Sequence, residues 1–226
     1  MTKKQLAHLF DATKCIGCQA CIVACNETNY PEMAGRAVPG RNWLASNIQR
    51  VTLETARRPI QILVQCQQCS NAPCVKTCPF GANYYDEDGL VRNDPKRCIG
   101  CNYCIASCPY DARWSHPDSG LPSKCMGEGC LERVHDGLLP ACVSACPVSA
   151  RLFGDINDPD SAISAKLRVA KTQKLLESHG TQPNFFVVVQ KGWNTRILCR
   201  RSSLQTGAGV SRSSSGSSAC PAWGCS

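Results

Sequence analysis

The chain is short of the residues from which large hydrophobic cores are made. Aromatic residues make up only 6% of its 226 positions, and Leu, Ile, Phe and Trp are thinly spread. One large domain or two small ones would fit this length, but the apolar core would be modest. No stretch approaches the roughly 18 apolar residues of a membrane span. The best run, Phe185 to Val189, is strand-sized. Met1 to Asp11 has basic residues but no apolar segment after them, so it does not read as a secretory leader. That argues against the oxidising setting in which a disulfide framework is expected. Catalytic patterns are missing too: there is no nucleophile–base motif, phosphate-binding loop or dinucleotide fingerprint. His8, His116, His135 and His179 show no pairing pattern and read as ordinary polar residues, and Met33 and Met126 as packing or loop residues.

Cysteine, by contrast, is abundant, with 19 in the sequence. Sixteen of them fall into four groups of four. The first is Cys15, Cys18, Cys21 and Cys25; the second is Cys66, Cys69, Cys74 and Cys78, followed by Pro79. The third is Cys98, Cys101, Cys104 and Cys108, followed by Pro109. The fourth is spread out as Cys125, Cys130, Cys142 and Cys146, followed by Pro147. This internal repeat decides the architecture. Three groups end in Cys-Pro-x-x-Ala, at Cys78 to Ala82, Cys108 to Ala112 and Cys146 to Ala150, each proline stopping a short helix. Cys199, Cys220 and Cys225 lack group spacing and read as non-ligands.

Cysteines at i, i+3 and i+6 can wrap one side of a cubane, with a fourth arriving from elsewhere. The run Cys-x2-Cys-x2-Cys-x3-Cys-Pro is the bacterial ferredoxin signature, whose fourth Cys serves the other cluster. Gly17 and Gly100, in Cys-Ile-Gly-Cys turns, allow backbone amides to approach cluster sulfurs. Zinc prefers separated Cys-x2-Cys knuckles. Group four alone could pass for a zinc site; beside three ferredoxin-like groups, iron–sulfur is the better reading. Four [4Fe–4S] clusters at about −2 each offset the formal charge of +8. The basic excess therefore reads as local compensation, and no basic stripe or base-stacking motif supports nucleic-acid binding.

Around the groups, Asn83 to Arg92 reads as a β-hairpin turning at Asp88-Gly89. Within 26–65, Val51 to Glu54 and Ile60 to Val64 are candidate strands. A helix is expected from Asp158-Pro159 to about Ser178, stopped by Gly180, with Ile163, Leu167 and Ala170 inward. Asn184 to Gln190 reads as a last strand. From Arg200 the composition turns to Ser, Gly and Arg, either a disordered extension or an out-of-frame reading of the gene's end. Lys14, Arg97 and Lys124 precede the first cysteine of their groups; they read as solvated charges or as cations that raise cluster potentials. Phe80, Tyr110 and Trp114, just after ligands, read as side chains that exclude water.

Three stretches carry a more specific resemblance: Asp11 to Cys21, Arg97 to Cys104, and Leu139 to Pro147. Over about residues 6–190 the chain resembles the four-cluster electron-transfer subunits of molybdopterin oxidoreductases, the dimethyl-sulfoxide reductase beta-subunit family. The resemblance implies an α+β fold of two nested bacterial-ferredoxin-like modules with short helices, short hairpins and much loop. Residues 1–30 plus 120–155 would form the outer module and 66–119 the inner one. Residues 31–65 would be an insertion with short strands, 156–199 a C-terminal helix and strand, and 200–226 the tail.

The implied ligand sets are Cys15, Cys18, Cys21 and Cys146 for cluster 1, and Cys66, Cys69, Cys74 and Cys108 for cluster 2. Cluster 3 would take Cys78, Cys98, Cys101 and Cys104, and cluster 4 Cys25, Cys125, Cys130 and Cys142. Nitrate-reductase-type relatives replace one cysteine of the third group by Trp and hold a three-iron cluster, whereas here that group, Cys101 included, is all cysteine. Many relatives place two residues between the first cysteines of group four; this chain has Met126-Gly127-Glu128-Gly129, whose glycines would let the longer loop fold back. The implied role is electron transfer between a large molybdopterin catalytic subunit and an integral quinone-linked membrane subunit. The protein would be peripheral on a bacterial or archaeal inner-membrane complex, on an undecided side. A soluble polyferredoxin, or a hydrogenase- or formate-dehydrogenase-type carrier, is the alternative.

Overall fold

The computed structural model describes residues 3–38, 44–53 and 60–189. The tail with Cys199, Cys220 and Cys225, and the end of the last expected strand at Gln190, lie outside the described residues. The architecture is α+β, made of short helices and hairpins around one four-stranded sheet.

The sheet is centred on β1 (Leu6–Asp11), every residue of which is buried. Successive side chains of a strand point to opposite faces, and both faces of β1 are covered. Leu6 and Phe10 join the large core that also contains most of the cysteines. Ala7 and Leu9 meet Ile163 and Val188 on the other side.

The chain then passes through α1 (Ala20–Asn29), which carries Cys21 and Cys25. The expected strand pair of the insertion is present as β2 (Gln49–Leu53) and β3 (Ile60–Val64), antiparallel with Val51 opposite Ile62. Two four-residue helices follow, α2 (Pro73–Lys76) and, after a hairpin, α3 (Tyr103–Ala106). The hairpin pairs β4 (Asn83–Tyr85) with β5 (Val91–Asn93). Its turn is tied by Asp86 Oδ1, which accepts from the N–H groups of Asp88 and Leu90. A two-residue pairing, β6 (Trp114–Ser115) with β7 (Pro122–Ser123), precedes α4 (Glu128–His135) and α5 (Ala141–Ser144).

The C-terminal part departs from the expected long helix. The helix α6 (Ala162–Val169) has only eight residues, capped by Ser161 Oγ accepting from Ser164 N. Ile163, Leu167 and Ala170 do face the core. The remainder becomes strand β9 (Thr172–Lys174) and a 3-10 turn at Glu177–His179 that ends at Gly180. Sheet pairing overrides helical propensity here: β9 forms the edge of the sheet against β10 (Phe185–Val188), and Leu175 drops into the core. With β8 (Arg151–Asp155), the strand order is β8-β1-β10-β9, where β1 and β10 run parallel.

Candidate metal centres

The repeat sequence translates directly into a repeated local geometry. Each four-residue helix carries one buried cysteine, Cys74 on α2, Cys104 on α3 and Cys142 on α5. Each ends before a Cys-Pro pair, because proline has no N–H to continue the helix. Three residues past the cysteine of that pair the backbone turns left-handed, at Gly81, Asp111 and Ser149. The turn swings the N–H of the following alanine onto the sulfur: Ala82 N to Cys78 Sγ is 3.2 Å, and Ala150 N to Cys146 Sγ is 3.2 Å. Ala82, Ala112 and Ala150 are each 1% exposed, so the position takes a small side chain. At Cys78, burial pushes the thiol up, but backbone N–H groups of Asn83, Phe80 and Ala82 outweigh it and hold the thiol below its usual range.

At the other end of the groups, Gly17 and Gly100 adopt φ of +72° and +71°, which glycine does without strain. Group two has Gln68 there, also left-handed at φ +47°. Such a conformation costs a non-glycine residue about 1–2 kcal/mol. Three contacts hold it: Nε2 donates to Cys125 O at 2.7 Å, Oε1 accepts from Val91 N at 2.8 Å, and its carbonyl accepts from Asn184 Nδ2 at 2.7 Å.

The sixteen grouped cysteines are all free thiols. One cavity is lined by Cys15, Cys18, Cys21 and Cys146, together with Gly17 and Arg151. A second is lined by Cys78, Cys98, Cys101 and Cys104, together with Phe80 and Asn83. In the interior, Cys69 has Cys66, Cys108 and Cys74 as electrostatic neighbours, and burial first of all pushes it up to about 12. Cys25, also pushed up to about 12 by burial, faces Cys142 and Cys130. Burial also raises Cys125 well above the usual thiol range, beside Cys142, Cys66, Cys25 and Cys130. Among the described residues, no three Cys, His, Asp or Glu side chains converge closely enough to hold one metal ion.

The cations divide sharply. Lys14 and Arg97 are exposed, as the solvated reading expects. Lys124 is buried, and its Nζ donates to the carbonyls of Val91 and Cys125. Arg113 and Arg151 are also buried. Arg113 Nη2 lies 3.2 Å from Cys74 Sγ and Nη1 2.9 Å from Asn83 Oδ1. Arg151 Nη2 donates to Gln65 Oε1, while its Nε and Nη1 have no close hydrogen-bond partner among the described residues. Burial alone would lower both arginines, but the surrounding thiols raise them. A buried guanidinium facing sulfur is a costly arrangement unless anionic groups lie beside it. The donor set and its cations therefore fit an anionic thiolate-bound cluster. The signal for the two arginines was available one residue beyond the repeat, as Cys-Pro-x-x-Ala-Arg in groups three and four.

Other supporting residues carried no such signal. Asn29 Oδ1 accepts from Cys130 N at 3.0 Å, and Nδ2 approaches Cys130 Sγ at 3.4 Å and Cys25 Sγ at 3.7 Å. Asn47 N donates to Cys25 Sγ at 3.4 Å, and its Oδ1 accepts from Tyr30 Oη and Trp114 Nε1. His8, read from the sequence as an ordinary polar residue, is buried. It lies between Phe153 and Phe185 with Nε2 3.9 Å from Cys125 Sγ. Burial, with the Arg151 charge, lowers its pKa to about 3. Tyr110 and Trp114 are buried, whereas Phe80 is 48% exposed at the rim of its cavity.

Gly127 and Gly129 act by close approach: neither adopts a positive φ. A Cβ on Gly129 would lie 2.0 Å from Thr28 O, and one on Gly127 2.6 Å from Asn29 Oδ1. They let α4 lie against the end of α1, which brings Cys130 to Cys25.

Residues 61–156 match the family of 4Fe-4S dicluster domains. The sequence is 39% identical over 193 residues to the B chain of polysulfide reductase from Wolinella succinogenes, covering 83% of this chain and 96% of that one. This protein belongs to the iron–sulfur electron-transfer subunits of the dimethyl-sulfoxide reductase type. It is also 39% identical over 189 residues to the B subunit of tetrathionate reductase from Salmonella typhimurium, covering 81% of this chain and 72% of that one. A third relative, at 36% over 214 residues, is a putative dimethyl sulfoxide reductase iron-sulfur subunit of Halobacterium salinarum, with 80% and 77% covered. The cofactors of this subunit are [4Fe–4S] clusters, and electron transfer is its function. No helix among the described residues is long and apolar enough to cross a membrane.

Proposed function

We propose that the sixteen grouped cysteines hold four [4Fe–4S] clusters in two nested ferredoxin-like modules. The outer module, 1–30 plus 120–155, would combine groups one and four; the inner one, 66–119, would combine groups two and three. The insertion between them contains the β2–β3 pair, and after residue 156 the chain adds α6, β9 and β10, of which the two strands extend the sheet. Cluster 1 takes Cys15, Cys18, Cys21 and Cys146; cluster 2 takes Cys66, Cys69, Cys74 and Cys108. Cluster 3 takes Cys78, Cys98, Cys101 and Cys104; cluster 4 takes Cys25, Cys125, Cys130 and Cys142. The observation that carries this reading is the exchanged cysteine in each cavity, Cys146 beside Cys15, Cys18 and Cys21, and Cys78 beside Cys98, Cys101 and Cys104.

Neighbouring ligand sets suggest their order. Cys21 faces Cys142, linking sets 1 and 4, and Cys125 faces Cys66, linking sets 4 and 2. Arg113 lies among Cys74, Cys66, Cys104 and Cys108, linking sets 2 and 3. The ends of the line are the two sets with an exposed cysteine, Cys18 and Cys101. When bound, the clusters supply one-electron chemistry. The protein contributes thiolates, backbone N–H groups to the sulfurs, buried cations and a dry interior.

The two exposed ends suit two partners, a large molybdopterin-containing catalytic subunit and an integral quinone-linked membrane subunit. The protein would then be peripheral on a respiratory complex. Anaerobic purification tests the assignment: about sixteen iron atoms per chain are expected for four cubanes, and about eight would overturn it. Co-purification with a stoichiometric molybdenum subunit tests the partner; a free, monomeric carrier would refute that part.

A further inference from the structure

Arg151 and Arg113 occupy equivalent positions of the internal repeat, each directly after Cys-Pro-x-x-Ala. Both are nearly inaccessible, at 2% and 1% exposed. Each also sits across a junction between two ligand sets through one side-chain amide. Arg151 lines the cavity of set 1, and its Nη2 donates to Gln65, whose Nε2 in turn donates to Cys125 Sγ of set 4 at 3.5 Å. Arg113 touches Cys74 Sγ of set 2 and donates to Asn83, which lines the cavity of set 3. In group two the same repeat position is Asn83 itself, so the repeat supplies a guanidinium in groups three and four and an amide in group two. Arginine stays charged at any pH the protein meets, so each is a fixed positive charge in a poorly screened interior.

We propose that Arg151 sets the reduction potentials of clusters 1 and 4 together, and Arg113 those of clusters 2 and 3 together. Each reduction adds a negative charge to a cluster. A cation held between two of them favours reduction of both and offsets the repulsion between neighbours once both are reduced. The two residues are thus pair-wise potential-setting groups, and the pairs coincide with the outer and inner modules. This inference rests on the ligand assignment proposed above.

The test is potentiometric titration of the full-length, cluster-loaded protein followed by electron paramagnetic resonance. The signals of clusters 1 and 3 are identified by their loss in Cys18→Ser and Cys101→Ser. In Arg151→Gln, clusters 1 and 4 should both move to lower potential while 2 and 3 stay in place; Arg113→Gln should give the converse. Arg151→Lys and Arg113→Lys should restore both potentials of their pair. A shift spread evenly over all four clusters, no shift, or a Lys variant displaced as far as its Gln counterpart would overturn the proposal. Should a Gln variant fail to load, Gln65→Glu and Asn83→Asp keep the guanidinium and place a carboxylate against it. They must lower the same two clusters and leave the other two, or the proposal fails. If the unaltered protein lacks four one-electron couples, the ligand assignment has failed instead, which separates the two outcomes.

Discussion

Of the proposed ligand sets, the two interior ones and the two end ones are built from the same repeat but differ in their surroundings. Cys25, Cys125, Cys130 and Cys142 are all buried, as are Cys66, Cys69 and Cys74. The end sets each include an exposed cysteine, Cys18 or Cys101, beside an exposed isoleucine, Ile16 or Ile99. Interior thiols are hemmed in by groups from several segments: the side chains of Asn29, Gln65 and Arg113, and the backbone N–H of Asn47. The end thiols Cys78 and Cys146 are met by the local backbone, through left-handed turns and alanine N–H groups, a contact that Cys108 of an interior set shares. In the proposed assignment the interior sets would bind distant parts of the sequence together, while the end sets lie closer to solvent.

The largest expected effect tests whether the interior holds the fold. Cys142→Ala should abolish cluster 4 and the native circular-dichroism spectrum together, since loss of the metal site is coupled to unfolding. Cys18→Ser should lose cluster 1 alone and keep the spectrum. Equal damage from both would erase the distinction between the sets.

Iron chelation at different pH values sharpens the same contrast. Burial pushes Cys25 and Cys69 up to about 12, so once iron leaves, these thiols take up protons. Cluster loss from the interior should therefore become easier as the pH falls. The end thiol Cys78, held low by backbone N–H groups, competes less strongly for protons. Chelator release followed spectroscopically from about pH 9 to 6, spanning the ordinary thiol range, should show a steeper acid dependence for clusters 2 and 4 than for cluster 3, which includes Cys78. A flat profile for them would contradict the role given to burial.

Smaller effects come from the packing that assembles the interior. Gly129→Ala pushes a methyl into Thr28 O and should lower stability by about 1–3 kcal/mol, measured by anaerobic denaturant unfolding. Asn29→Ala removes the link between Cys130 N and the end of α1 and should cost about 1–2 kcal/mol. At the surface, Arg36→Ala removes the exposed pair with Asp118 and should leave the melting temperature unchanged. A clear loss there would mean that the insertion, rather than the cysteine interior, anchors the fold.

Short strands such as Ile60–Val64 and the Asp88-Gly89 hairpin were readable because their residues and turn chemistry agree with their setting. The long helix expected after Pro159 was not, because the pairing of Thr172–Lys174 with the later strand Phe185–Val188 outweighs a weak local preference. Gly127 and Gly129 were recognisable as special, but not for the right reason: the constraint comes from Thr28 and Asn29, in a distant part of the sequence.

The number of thiols, their grouping and the small residues of the repeat are legible in the chain order alone, because a cubane and its backbone N–H bonds impose fixed local spacings. Tertiary structure decided which thiols lie at the ends and which inside, and that Lys124 is buried while Lys14 and Arg97, in the same position before their groups, face water. Burial and charge neighbourhood are set by segments far apart in the sequence, so local spacing carries no trace of them.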